Sequence, residues 1–123
     1  MNKVFHLSSC GTCKRILTDT NAAAVCELQD IKTANISTEE LANLAEKVGS
    51  YEALFSRKAL KFRSMGLHEK TLTETDYRDL MLQEYTFLKR PFIIVGNDVF
   101  IGNAPKTVAA AKDFLTKINS PSN

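Results

Sequence analysis

The apolar positions of this 123-residue chain change period several times, and each change marks an element. Residues 3–7, KVFHL, are β-prone and stop at the turn SSCG; TCKRILTDTNAAA then favours a helix, with Cys13, Ile16 and Leu17 at helical spacing. In AVCELQDI the pattern alternates, with Ala24, Cys26 and Leu28 to one side and Glu27 and Gln29 to the other, which predicts a half-buried strand. A β-α-β unit therefore opens the chain. ISTEELANLAEKVG predicts the clearest helix: Ser37 and Glu40 have capping-box spacing, Leu41, Leu44, Ala45 and Val48 share a face, and Gly49 ends it. SYEALFSRKALKFRSMG reads as short helices with a basic face that stop at Gly66. A further helix begins at Thr73, with Tyr77, Leu80, Met81 and Tyr85 as its apolar side. PFIIV, a GND turn and VFIG predict a hairpin, and PKTVAAAKDFLTKI a last helix with Pro105 in its first turn.

The order β-α-β, helices, β-β-α is that of an α/β thioredoxin-like mixed sheet, one domain over residues 1–123 with a helical insertion at about 37–90. No repeat, low-complexity segment or linker precedes the polar end NSPSN. Hydrophobic residues at 44% and charged ones at 24% fit a folded globular domain. A net charge of +2, from 16 basic and 14 acidic residues, is far from that of a dedicated nucleic-acid binder. No apolar run is long enough to span a membrane, and MNKVFHLSSCG is too short in apolar residues for a signal peptide, so a cytoplasmic location is expected.

Three cysteines suit a functional thiol better than a disulfide framework. Cys10 falls at the start of the first helix, and Cys13 one turn later faces the same way. Free amides and the helix dipole favour an anion there, and Lys14 and Arg15 lie nearby, so a Cys10 thiolate is expected to be stabilised. A zinc site drawing on His6, Cys10, Cys13 and Cys26 would need a second C-x-x-C or paired histidines, and neither is present. Cys13 also fits a plain core position, which the turn position of Cys10 does not. Cys26 reads as a buried residue on an apolar strand face and His68 as a solvated one.

With SSCGTCKR, LFSRKALKFRSMGL and FLKRPFIIVGNDVFIG, the chain resembles the ArsC and Spx family over nearly its whole length. The resemblance implies a glutaredoxin-type core with a helical insertion, Cys10 as nucleophile in a loop with Gly11 and Thr12, and Cys13 as the second cysteine of a redox switch. It also implies that Arg90 faces the thiolate, that Pro91 beside it is cis, and that Arg57 or Lys58 helps to bind an oxyanion. The third arginine of the arsenate reductases is replaced by FIGNAPK, with Asn103 and Ala104.

Two functions follow as expectations. The first is a thiol oxidoreductase in which Cys10 attacks arsenate or a glutathione mixed disulfide, and Cys13 or an external thiol releases the product. It would use no metal or organic cofactor, take glutathione or another thiol as co-substrate, and have glutaredoxin or thioredoxin as possible partners. Lys14 and Arg15 join the substrate-binding set. The alternative is a redox-sensing regulator resembling Spx that binds RNA polymerase; a pull-down with the polymerase separates the two.

Overall fold

The computed structural model describes residues 2–118 and contains two compact units, one drawn from the two ends of the chain, up to Ala34 and from Arg90 onward, the other from Asn35 to Lys89.

The first unit holds a four-stranded sheet in the order β2-β1-β3-β4, from β1 (Asn2–His6), β2 (Glu27–Asp30), β3 (Phe92–Val95) and β4 (Asp98–Ile101). β1 runs parallel to β2, with Val4 opposite Leu28 and His6 opposite Asp30, and antiparallel to β3, with Phe5 opposite Phe92. β3 and β4 form the predicted hairpin, and Gly96 turns it at φ 61°, a left-handed conformation that glycine adopts without a side-chain penalty. Every residue of β3 is buried, as suits a strand paired on both sides.

Helix α1 (Gly11–Thr20) and the last helix, Pro105–Ile118, contribute Ile16, Ala111 and Leu115 to a core that includes Val4, Cys26, Ile93 and Val95. Proline at the first helical position loses no hydrogen bond, because its amide would have had no intrahelical partner. α1 is shorter than the apolar pattern suggests. Asn21 takes a left-handed conformation (φ 56°) and closes it, and residues 22–24 form a separate 3-10 turn.

The alternation expected in AVCELQDI is not kept. Cys26 is buried ahead of β2, whereas Leu28 lies on this edge strand with 42% of its surface exposed. An edge strand lacks a neighbour on one side, so its apolar positions need not be covered.

The second unit is helical: α2 (Thr38–Val48), α3 (Leu60–Ser64) and α4 (Glu74–Gln83), which makes Pro105–Ile118 α5, with 3-10 turns between them. Ser37 and Glu40 form the expected capping box, and α2 ends at Gly49 with φ 102°. Thr73 and Asp76 form another at the start of α4. Tyr77 and Met81 are buried on α4 as its pattern requires, but Tyr85 lies beyond the helix in a 3-10 turn, because Glu84 is already extended. Phe55 contacts Phe62, Tyr77 and Phe87 in the centre of this unit. The polar end at 119–123 lies outside the described residues.

Candidate active site

The loop between β1 and α1 is a tight turn, closed by the Cys10 amide donating to the Leu7 carbonyl at 3.0 Å. Cys10 is the N-cap of α1, with extended backbone (φ −90°, ψ 115°), and its own carbonyl accepts the first helical bond from Lys14 at 3.1 Å. No side-chain oxygen caps this helix. The amides of its first turn are therefore left to the sulfur, which suits an anion.

The balance of influences on Cys10 supports that reading. Partial burial by itself raises the thiol, but the Cys13 amide, the Cys13 thiol, the Thr12 amide and the Arg90 charge outweigh it and hold Cys10 below its ordinary value. Cys13 behaves in the opposite way. Its side chain is buried at the core side of α1, and burial, reinforced by the neighbouring Cys10 charge, pushes its thiol up to about 11. The pair thus divides into an ionisable sulfur at the helix end and a protonated one a turn inside, which donates to the first. Cys26 is removed from this chemistry: burial raises its thiol, and its Sγ lies 3.9 Å from the Ile94 carbonyl.

Arg90 and Pro91 lead into β3, joined by a cis peptide bond as the resemblance implies. Pro91 is fully buried. The Arg90 guanidinium acts on both Cys10 and Cys13, and its Nη1 is buried without a hydrogen-bond partner. A buried, unpaired guanidinium donor beside a thiolate is suited to holding an anionic group.

Gly11 opens α1, and a Cβ there would meet nothing within 4 Å, so its place does not rest on crowding. Lys14 and Arg15 are not among the leading influences on Cys10, contrary to the expectation from sequence. Successive helix positions turn by about 100°; Cys13 faces inward, while Lys14 and Arg15 are exposed and line a groove of about 960 Å³ between α1 and α5, with Asn103, Pro105, Val108 and Lys112.

Arg57 and Lys58 belong to the second unit. The Arg57 guanidinium donates to the Glu52 carboxylate and to the Tyr77 hydroxyl at 2.7 Å, and lies over the Tyr77 ring. Lys58 makes no side-chain hydrogen bond or ion pair among the described residues, which leaves it as the freer cation of the two. His68 is on an exposed 3-10 turn with its imidazole beside the Phe62 ring. Among the described residues no group of three or more His, Cys, Asp or Glu side chains is placed to hold a metal ion, and no helix is long and apolar enough to cross a membrane.

Two residues near Cys10 were not singled out from the sequence. Ser8 donates through its hydroxyl and its amide to the carboxylate of Asp30, at the end of β2. A β-α-β unit sets the end of its second strand beside the end of its first, so an acidic residue there, matched to a serine-rich turn, was a readable signal.

The family model described as the ArsC family matches residues 5–111. Comparison with curated proteins finds no match. Among solved structures the chain is similar to a protein named YFFB, with 25% identity, 90% of this chain and 98% of that one covered, and a TM-score of 0.75. It is also similar to an arsenate reductase from Vibrio cholerae, with 17% identity, coverage of 89% and 96%, and a TM-score of 0.74. An arsenate reductase (ArsC) related protein from Brucella melitensis aligns at 21% identity, with coverage of 89% and 92% and a TM-score of 0.68. The shared fold is the α/β mixed sheet of the thioredoxin-like type, as the element order predicted.

Proposed function

Because the chain belongs to the ArsC family, we propose that it is a thiol oxidoreductase in which Cys10 is the nucleophile and Cys13 the resolving thiol. The observation that carries the reading is the opposite poise of the two sulfurs on one helix turn, Cys10 held low by amides and Arg90, and Cys13 pushed up to about 11.

On a mixed disulfide the Cys10 thiolate attacks one sulfur, the S–S bond breaks, and the leaving thiolate takes a proton from water. Cys10 is then neutral, which removes the charge that helped to keep Cys13 protonated. Cys13 loses its proton, attacks the Cys10 sulfur and releases the second thiol, leaving a Cys10–Cys13 disulfide. Two external thiol groups, from glutathione or a dithiol protein such as glutaredoxin or thioredoxin, reduce it and are themselves oxidised to a disulfide. On arsenate, Cys10 attacks arsenic as water departs and an S–As bond forms; Cys13 or an external thiol then attacks the Cys10 sulfur, the S–As bond breaks with its electron pair passing to arsenic, and trivalent arsenite leaves as the two sulfurs join in a disulfide. Arg90 steadies the oxyanion, or a carboxylate of a peptide thiol, through Nη1.

The test compares turnover of a glutathionylated peptide and of arsenate by the wild type and by Cys10→Ser, with peptide mapping after mild oxidation. Loss of both activities in Cys10→Ser and a Cys10–Cys13 bridge are expected. Activity that survives Cys10→Ser, or a dominant bridge to Cys26, overturns the reading.

A further inference from the structure

The turn that carries Cys10 has little of its own to hold it. Ser8 and Ser9 are exposed, and within the turn the Leu7–Cys10 backbone bond is the closing contact. Yet the amides of Thr12 and Cys13 stabilise the sulfur only if it stays in line with them, because hydrogen bonds weaken steeply as their angle closes. Something must fix the turn against the sheet.

Asp30 is placed to do so. It sits at the end of β2, opposite His6 at the end of β1, and the Ile31 amide donates to the His6 carbonyl at 2.8 Å, so the ends of both strands are joined. Its Oδ2 accepts from the Ser8 hydroxyl, and its Oδ1 from the Ser8 amide at 3.4 Å. The carboxylate is itself oriented by the Lys32 amide, which donates to Oδ1 at 3.1 Å. Ser8 follows Leu7 in the turn that Cys10 closes, so a two-point grip on Ser8 is transmitted through one further residue to the nucleophile.

We propose that Asp30 is a positioning residue for Cys10: through Ser8 its carboxylate ties the nucleophile turn to the end of β2 and keeps the sulfur aligned with the amides at the start of α1. The inference rests on Cys10 being the low-pKa nucleophile. Asp30 has a competing local role, since the Thr33 and Ala34 amides donate to its backbone carbonyl and the Lys32 amide to its side chain. The backbone bonds persist in Asp30→Ala, whereas the Lys32 bond is lost there and kept in Ser8→Ala. The charge of Asp30, which also faces His6, is separated from the tether by Asp30→Asn, whose amide retains one acceptor and can donate to the serine hydroxyl.

The experiment measures iodoacetamide alkylation of Cys10 against pH, resolved by peptide mass spectrometry on the full chain, for the wild type, Ser8→Ala, Asp30→Ala and Asp30→Asn. Both alanine variants are expected to raise the apparent Cys10 pKa by about one unit, roughly a tenfold loss of thiolate at mildly acidic pH. Asp30→Asn should restore most of the wild-type profile. If Asp30→Ala does not fold, Ser8→Ala, a change at an exposed residue, decides. Alanine variants with the lowered wild-type profile overturn the inference alone, as does an Asp30→Asn profile like that of Asp30→Ala, because a side chain that can still bond Ser8 would then fail to hold the sulfur. A wild-type Cys10 that titrates as an ordinary cysteine overturns the parent reading and the inference with it.

Discussion

Replacing Arg90 by methionine separates what the guanidinium does for the thiolate from what it does for the substrate. Arg90 is the last of the leading influences on Cys10, behind burial, the Cys13 amide and thiol, and the Thr12 amide. Alkylation of Cys10 should therefore shift by less than about one pKa unit, under a tenfold change in thiolate. The substrate should feel more. Nη1 is buried and has no partner, so its hydrogen-bonding capacity is available to an incoming anion. A hydrogen bond to a charged group contributes about 1.5–3 kcal/mol, which at about 1.4 kcal/mol per factor of ten is roughly a tenfold to hundredfold loss in kcat/KM for arsenate. Stability should move the other way: an unsatisfied buried donor costs about 1–3 kcal/mol, and methionine fills similar space without it. Urea unfolding should show Arg90→Met at least as stable as the wild type. The assays are kcat/KM for arsenate and for a glutathionylated peptide, iodoacetamide rates, and urea midpoints. Equal losses in alkylation and turnover would show that Arg90 acts through the thiolate alone, and lower stability with unchanged turnover would refute the assignment altogether.

The raised Cys13 thiol makes the fold sensitive to alkali. The folded chain retains the Cys13 proton up to about 11 whereas the unfolded chain releases it near the ordinary value of 9.0, so stability falls as pH rises between those values, by up to about 1.4 kcal/mol per unit. Urea midpoints of wild type and Cys13→Ala across that window should converge toward a common pH dependence only if other groups contribute the slope; a wild-type-specific decline is expected. The family resemblance implies an arginine near Asn103 in arsenate reductases, and if that difference limits oxyanion binding, Asn103→Arg should raise kcat/KM for arsenate about tenfold or more while leaving a glutathionylated peptide nearly unchanged. Vigorous arsenate reduction by the wild type would show that the pocket is completed without that residue.

Features written in neighbouring residues were legible in the sequence. The Ser37–Glu40 capping box, the glycine that ends α2, the tight hairpin at Gly96 and the cysteine at the start of α1 each depend on a few adjacent positions. Arg90 had no local signal and stood out only through the family resemblance, because what makes it useful, burial with an unpaired nitrogen beside Cys10, is tertiary. The bond between Ser8 and Asp30 joins a turn residue to the end of β2; it leaves no periodicity, and its one signal is the pairing of a serine-rich turn with an acidic strand end. β2 was misjudged because alternation assumes both sides of a strand are defined by a core, and at a sheet edge Leu28 is released from that rule. Lys14 and Arg15 lie within the first turns of α1, yet both side chains are exposed to solvent and neither is among the leading influences on Cys10.

The sheet unit is interrupted in sequence: Phe5 and Phe92 lie opposite each other on β1 and β3, with all of Asn35–Lys89 between them. In an unstructured chain that span is a long loop whose closure opposes strand pairing, and its entropy grows with the logarithm of length at about 0.6 kcal/mol per doubling. The helical unit shortens it. Asn35 at its start donates to the carbonyl of Met81 at 3.0 Å, and the Lys89 amide at its end donates to the carbonyl of Leu54 at 3.0 Å, so each end is tied back onto the unit itself. Once the Asn35–Met81 contact forms, the residues left to close between β1 and β3 are fewer by about one doubling, a gain of about 0.6 kcal/mol in the closure step. For the β1–β3 pairing, the one in the sheet that spans the insertion, early folding of the helical unit eases a search that the length of the loop would otherwise slow.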